Sequence, residues 1–382
     1  MPEISPGTTA DPSRFQLFCA TALGFEGLLC EELRELGVNP RPVIGGVELV
    51  GGFEVMELIH LQSRIAESMR LRLKPFMARD FATLVEGLSR LPWHAYLGNA
   101  ESVHVSVSCQ KSRLYHSDAV RERCLNVLEQ RLKRKLLSVP KKAAQQALFI
   151  RIVEDRVQVS VDASGELLHR RGERRHVSVA PLRETLAAGL VRALGPVERV
   201  WDPFCGSGAL LIEWLLAKAG QVPGACRSFA FENWPAYRAR LAAWQERKHG
   251  AGERGQALAR PAEVVAWGDD IEAHALKAAR ENLAHIGYQS AAELAGLDFE
   301  QMAECIPSGT AILSNPPYGV RLGSGVEDLY QRLDGLLERR LDLRPAVIIT
   351  GYLRYRARSP HAWRVLFSTQ VGGIPAEVLR LP

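Results

Sequence analysis

Ser314-Asn315-Pro316-Pro317-Tyr318-Gly319 follows directly on the apolar run 310–313. An apolar run that ends in an amide, two prolines and an aromatic predicts a buried strand delivering a stiff polar corner to a sheet edge. Tandem prolines restrict the backbone and carry no N–H. The carbonyls of Asn315 and Pro316 and the Asn315 side-chain oxygen are therefore free to accept hydrogen bonds. Tyr318 adds a flat face on which a base can stack. An exocyclic amine on a purine, or an amide nitrogen, is a poor nucleophile because its lone pair is delocalised. Two acceptors and a stacking ring would aim that nitrogen at an electrophile, and such positioning supplies roughly 7–11 kcal/mol of a barrier. Asn315, Pro316, Pro317 and Tyr318 are the expected catalytic set; the plain alternative is an ordinary strand-to-loop turn.

A second pattern lies upstream, where a short strand at 199–201 runs into Trp201-Asp202-Pro203-Phe204-Cys205-Gly206-Ser207-Gly208 and an apolar helix follows. Glycines at 206 and 208 let a backbone approach a ligand closely, and the helix amino terminus offers free N–H groups. A dinucleotide fingerprint would need a third glycine near 211, where Leu211 stands, and an acid about 20 residues further on. Neither is present, which disfavours NAD. The Asp202 carboxylate suits a ligand with an amino group, such as the methionine part of S-adenosylmethionine. Trp267-Gly268-Asp269-Asp270-Ile271 closes the next strand, and an acid there can hold a ribose diol. Asp270 is the first choice and Asp269 the alternative, although Asp270 would also serve as a helix cap. Asp298, after a strand expected at 292–297, could take an adenine amino group.

Those elements must be positioned by a chain of 382 residues, long enough for two or three domains. From 181 onward strands alternate with helices (199–201, 207–219, 263–267, 273–285, 310–314), the pattern of a doubly wound parallel sheet. An irregular insertion is expected between 220 and 261, with a mobile tip at 249–255. The first half reads as α+β: strands at 15–21, 45–50, 69–76, 102–108, 148–153 and 156–162, and helices at 27–36, 53–63, 81–88 and 117–137. The expected division is a disordered lead at 1–14, segments at 15–54 and 55–165, a linker at 166–180 and the α/β domain at 181–382.

The formal net charge is +5, but residues 110–180 hold sixteen Lys or Arg against eight Asp or Glu. A basic middle suggests a phosphate-binding surface, with solvated helix faces as the bland reading. The candidates are Arg121, Arg131, Lys133, Arg134, Lys135, Lys141, Lys142, Arg171, Arg174 and Arg175. Seven cysteines form no C-x-x-C pair, so neither a disulfide framework nor zinc is expected. With no apolar stretch of membrane-spanning length, a cytoplasmic protein is expected, without metal or membrane partner and monomeric.

The series Asp202-Pro-Phe-Cys-Gly-Ser-Gly, Gly268-Asp-Asp-Ile-Glu and Asn315-Pro-Pro-Tyr-Gly resembles the class I S-adenosylmethionine-dependent methyltransferases that act on amino nitrogens. More narrowly, the stretch 180–188, the Phe231-Glu-Asn-Trp234 element and Asn315-Pro-Pro-Tyr-Gly-Val-Arg321-Leu resemble the THUMP-domain guanine-N2 methyltransferases of ribosomal and transfer RNA. The context looks closest to the large-subunit ribosomal RNA enzymes. This resemblance implies a Rossmann-like methyltransferase domain, a mostly parallel sheet with a closing antiparallel strand, preceded by an α+β half made of a ferredoxin-like segment and a THUMP domain. It also implies S-adenosylmethionine held by Asp202, Phe204, Cys205, Gly206, Ser207, Gly208, Asp270, Ile271, Asp298, Glu184 and Thr185. Structured RNA, ribosomal first and transfer RNA second, would be the substrate, with Arg321 among its contacts. Val320 and Glu173 depart from the family pattern. Rival readings are an adenine-amine methyltransferase, a glutamine methyltransferase and a non-catalytic RNA-binding assembly factor.

Overall fold

The computed structural model describes residues 14–176, 182–257, 260–318 and 325–382. Arg321, Val320 and most of the expected lead and of the end of the linker lie outside the described residues. β1 (Phe15–Ala20) turns Leu17 and Cys19 into the core, and α1 (Glu26–Glu35) buries Leu29, Cys30 and Leu33. β2 (Arg41–Val43), β3 (Gly46–Gly51), α2 (Phe53–Gln62), β4 (Ser68–Arg72) and β5 (Phe76–Met77) follow. Then come α3 (Phe81–Ser89), α4 (Trp93–Leu97), β6 (Ser102–Gln110), α5 (Ser117–Leu132), β7 (Leu137–Ser138), β8 (Gln146–Val153) and β9 (Arg156–Asp162). The nine strands form one mixed sheet in the order β2-β3-β1-β4-β9-β8-β6-β7, with β5 on β9. Segments 15–54 and 55–165 thus share a sheet.

Two expected elements are shorter than the pattern suggested. The strand expected at 69–76 stops at Arg72, before Pro75, which has no N–H to give the ladder. The helix expected at 117–137 ends at Leu132, where Lys133 takes a left-handed φ of 54°. Lys133, Arg134 and Lys135 therefore sit in a turn and not on the helix face.

The second half contains α6 (Glu184–Leu194), β10 (Val200–Asp202), α7 (Ala209–Lys218), α8 (Leu241–Ala257), β11 (Ala266–Asp269), α9 (Ala273–His285) and β12 (Ala292–Ala295). It continues through α10 (Phe299–Ala303), β13 (Ala311–Ser314), α11 (Val326–Arg339), β14 (Ala346–Thr350), α12 (Tyr355–Arg358), β15 (Arg364–Val371) and β16 (Ile374–Leu381). The sheet order is β12-β11-β10-β13-β14-β16-β15. Its first five strands are parallel, and β16 runs antiparallel to β14 and β15. This is the doubly wound sheet with a closing antiparallel strand that the sequence predicts. The chain leaves β10 toward β11 on one side and returns to β13 on the other, so the switch point lies between β10 and β13, where such sheets open a crevice.

From Ala230 to Ala257 the insertion is helical, contrary to expectation. Two 3₁₀ turns (Ala230–Asn233 and Pro235–Arg240) lead into α8, which contains the stretch 249–255. Side chains along α8 hold it down: Trp244 Nε1 and Lys248 Nζ both donate to Glu232 at 2.7 Å, and Arg247 pairs with the buried Glu57.

The two sheets share one core. A single buried cluster runs from Leu17 to Val378 through both. Phe25 packs edge-on to Phe367 of β15, with centroids 4.8 Å apart, and a Cβ on Gly189 of α6 would meet the Phe25 ring at 2.2 Å. Between the halves lies a buried ionic cluster. Arg171 donates to Glu213 Oε1 at 2.6 Å, and Arg64 reaches Glu213 Oε2 at 3.2 Å. Burial and the neighbouring Glu213 push the Glu173 carboxyl up to about 7. Arg171, expected on an RNA-binding surface, has a side chain only 1% exposed and serves as the counter-ion of Glu213. Arg174 is likewise buried, 3.2 Å from Glu184. Arg171→Ala leaves Glu213 short of a partner and is expected to cost about 3–5 kcal/mol of stability. Urea unfolding checks this, with the exposed Arg175→Ala as a control expected to shift by no more than about 0.5 kcal/mol.

Candidate active site

A cavity of about 1290 Å³ opens at the carboxyl ends of β10, β11 and β13. Its wall includes Asp202, Phe204, Cys205, Gly206, Ser207, Asp270, Ile271, Asp298 and the whole corner Asn315, Pro316, Pro317 and Tyr318. The fold thus brings together residues more than a hundred positions apart in the chain. Gly208, Glu184 and Thr185 are off this wall. Gly208, at φ 83°, turns the chain into α7 beside Ala279. Glu184 pairs with Arg174, and Thr185 is buried with its hydroxyl unpartnered among the described residues.

Asp202 ends β10 with 1% of its surface exposed. Its Oδ1 accepts from the Ser314 hydroxyl at 2.5 Å and from the Phe204 N–H at 3.1 Å. Burial raises its carboxyl to about 7; the Ser314 and Phe204 hydrogen bonds oppose the shift, and the nearby Asp270 and Asp269 add to it. The Cys205 thiol is pushed well up, by burial first and then by the same acids, which makes it a poor nucleophile.

Asp269 and Asp270 have separate duties. Asp269 is fully buried and accepts from Trp201 Nε1 at 2.5 Å, and burial raises its carboxyl to about 7. Asp270 faces the cavity. Its Oδ2 accepts from the Gly206 N–H and its Oδ1 from the Glu272 N–H, both at 2.9 Å. The carboxylate therefore braces the glycine turn and the entry to α9 together. Asp298 also reaches the cavity, but its Oδ1 accepts from Arg332 Nη2 at 2.5 Å. Burial alone would raise the Asp298 carboxyl; the hydrogen bonds from Arg332 and from the Glu300 N–H hold it lower. An ion pair already occupies the group expected to take an adenine amine.

At the Asn315 corner, Oδ1 is buried and has no hydrogen-bond partner among the described residues. A buried, unpartnered amide oxygen on a cavity wall costs free energy unless a ligand satisfies it. Tyr318 lies against the backbone of Gly351, where a Cβ would meet its ring at 2.5 Å. Gly351 follows β14 directly, and its missing side chain makes room for the ring.

Sequence reasoning missed several contributors. Gly351 carries a visible signal, a glycine at the end of an apolar strand. Ala22 and Leu23 after β1, and residues 370–374 of the β15–β16 hairpin, also line the cavity, and no local pattern announces them. Of the basic candidates, Arg131, Lys133, Lys135, Lys142 and Arg175 are exposed. Arg134 donates to the carbonyls of Leu97 and Gly98, Arg121 to Asp118, and Lys141 lies 3.8 Å from Asp162.

The strand order, glycine turn and carboxylate-lined crevice define a class I methyltransferase fold. Residues 171–359 match the RMKL-like methyltransferase domain and residues 16–68 the RlmL ferredoxin-like domain. Those two stretches are what the chain shares with the RMKL-like methyltransferases. It is 32% identical over 320 residues to the ribosomal RNA large subunit methyltransferase K/L of Psychromonas ingrahamii, covering 80% of this chain and 42% of that protein. The chain thus spans under half the length of that relative. It is 27% identical to slr0064 of Synechocystis sp., to which an RNA methyltransferase role has been attributed, over 98% of this chain and 99% of that one. The fold matches that of SMU.472, a protein assigned to the methyltransferases and complexed with SAH, with a TM-score of 0.83 at 23% identity. That match covers 97% of this chain and 98% of the other.

The Asp202 carboxyl titrates near 7 in the folded chain, against an ordinary value near 4. Its contribution to stability is present below about pH 4 and is lost as pH rises through about 7. Asp202→Asn is therefore expected to raise the melting temperature of the ligand-free protein more at pH 8 than at pH 5, as calorimetry at the two pH values would show.

Proposed function

We propose that the chain transfers a methyl group from S-adenosylmethionine to the exocyclic N2 amine of a guanosine in structured RNA, with ribosomal RNA as the substrate. The reading includes a cytoplasmic, monomeric enzyme. The observation that carries it is the unpartnered Asn315 Oδ1 on the wall of the carboxylate-lined cavity, beside a backbone stripped of N–H groups by two prolines. An amine hydrogen is the group such an acceptor lacks.

The cavity suits the cofactor. Its volume exceeds that of a nucleoside with an amino-acid tail, Asp202 offers a carboxylate to the ammonium, and Asp270 with Gly206 frames a ribose edge. S-adenosylmethionine, when bound there, supplies the electrophilic methyl group. The chain's own residues do the positioning. Asn315 Oδ1 and the Pro316 carbonyl accept the two N–H groups of the amine, which turns the nitrogen lone pair toward the cavity. Tyr318, seated on Gly351, stacks on the base after it leaves its helix. No general base is required, because the nitrogen becomes acidic once alkylated and gives its proton to water. The exposed cations Arg131, Lys133 and Lys135 would meet phosphates.

Deleting the gene and digesting ribosomal and transfer RNA separately to nucleosides tests this reading. N2-methylguanosine is expected to fall in ribosomal RNA alone, to be restored by the wild type, and not by Asn315→Ala. Loss in transfer RNA would reverse the substrate. No loss in either pool would refute the guanine-N2 assignment.

A further inference from the structure

One face of the nine-stranded sheet carries a ladder of stacked rings and cations. Cross-strand pairing puts Phe18 of β1 opposite Arg70 of β4, and Arg70 opposite Asp162 of β9. Phe149 of β8 stands opposite Ser160 on the same face. The Arg70 guanidinium lies 3.8 Å from the Phe149 centroid and 5.8 Å from that of Phe18. Arg72 lies 4.8 Å from the Phe18 centroid, and Lys141 is 5.0 Å from that of Phe149. Alternate residues on these strands, such as Leu17, Met69, Leu71, Leu148 and Val161, are buried in the core behind. The two rings are only partly buried and face away from that core.

The acids of this face are already engaged. Glu48 is held by Arg41 and Arg72. Asp162 accepts through Oδ1 from the N–H groups of Ser164 and Gly165, and its Oδ2, with no hydrogen-bond partner among the described residues, lies 3.8 Å from Lys141 Nζ, so a phosphate there would compete with Asp162 for that cation. Arg70 Nε has no hydrogen-bond partner among the described residues. Rings flanked by cations, with the acids neutralised, complement a partner that offers flat π faces and a row of anions. The face also leads to the active-site cavity. β1 runs from Phe18 to Ala20, and Ala22 and Leu23 line the cavity; Glu67, just before β4, does so as well. Four residues of extended chain place Phe18 on the order of 13 Å from that wall.

We infer that this sheet face is a stacking platform for an unpaired RNA strand adjoining the target nucleotide, with Phe18 and Phe149 taking bases and Arg70, Arg72 and Lys141 taking phosphates. The inference rests on the RNA-methyltransferase reading. It differs from a phosphate-only grip in requiring single-stranded RNA. Fluorescence anisotropy with a labelled mixed-sequence single strand and a duplex of equal length tests it on the full chain. Phe18→Leu and Phe149→Leu keep bulk and remove the π face. Each is expected to weaken single-strand binding about five- to tenfold, with duplex binding, S-adenosylmethionine binding and melting temperature unchanged. Lys141→Gln is expected to lower the salt slope by about one.

Wild-type single-strand affinity in both leucine variants would overturn the platform. If either variant melts early, photocrosslinking of a thiouridine-containing strand to the wild type decides. Adducts in β1 or β8 support the platform, and adducts confined to α5 overturn it. A wild-type dimer that the leucine variants dissolve would assign the face to a second copy and overturn it too. A wild type that binds RNA here but transfers no methyl group would remove the enzymatic reading and leave the platform. One that methylates while both variants bind normally would remove the platform alone.

Discussion

The hydrogen bond from the Ser314 hydroxyl to Asp202, 2.5 Å long and wholly buried, joins the carboxyl ends of two adjacent parallel strands. It spans the switch point of the sheet. On one side of it the chain turns through Gly206 and Gly208, and on the other it stiffens into Asn315-Pro316-Pro317. Main-chain geometry thus fixes the spacing between the glycine turn and the Asn315-Pro316-Pro317 corner. Asp270 completes the brace through its bonds to Gly206 and Glu272. Burial first, and the neighbouring acids to a smaller extent, raise the carboxyls of Asp202 and Asp269, so holding them ionised without a cation is costly. A cationic ligand would relieve that cost.

The front half contributes to the same site and is not a loosely tethered module. Its loop after β1 lines the cavity, its Phe25 fills the space left by Gly189, and its Arg64 meets Glu213 on the helix that follows the glycine turn. A shared core and a buried ionic cluster hold the first sheet in one orientation relative to the Asn315 corner.

Most of this architecture was legible in local pattern. Alternation marked β1, β6, β8 and β9, and the three acid-bearing strand ends marked the cavity wall, because strand polarity and turn chemistry are written within a few residues. What failed was long-range. Arg171 and Arg174 sit in a charge run that resembles a solvated surface, yet their partners Glu213 and Glu184 come from later helices. The single clue was Glu213, an acid inside the otherwise apolar α7. The insertion looked irregular because its glycines hide a helix whose anchors, Glu57 and Glu232, lie on other elements. Lys133 ended α5 through its own backbone conformation, which residue type did not announce. Ala22, Leu23 and the β15–β16 hairpin reach the cavity only through tertiary packing.

Titration calorimetry of the full chain with S-adenosylmethionine, in buffers of different ionisation heat near pH 7, tests the central claim most directly. Binding at micromolar concentration with release of protons to the buffer is predicted, because the cationic ligand draws the half-protonated Asp202 carboxyl into its ionised form. No binding at hundreds of micromolar, or binding without proton release, would contradict the account.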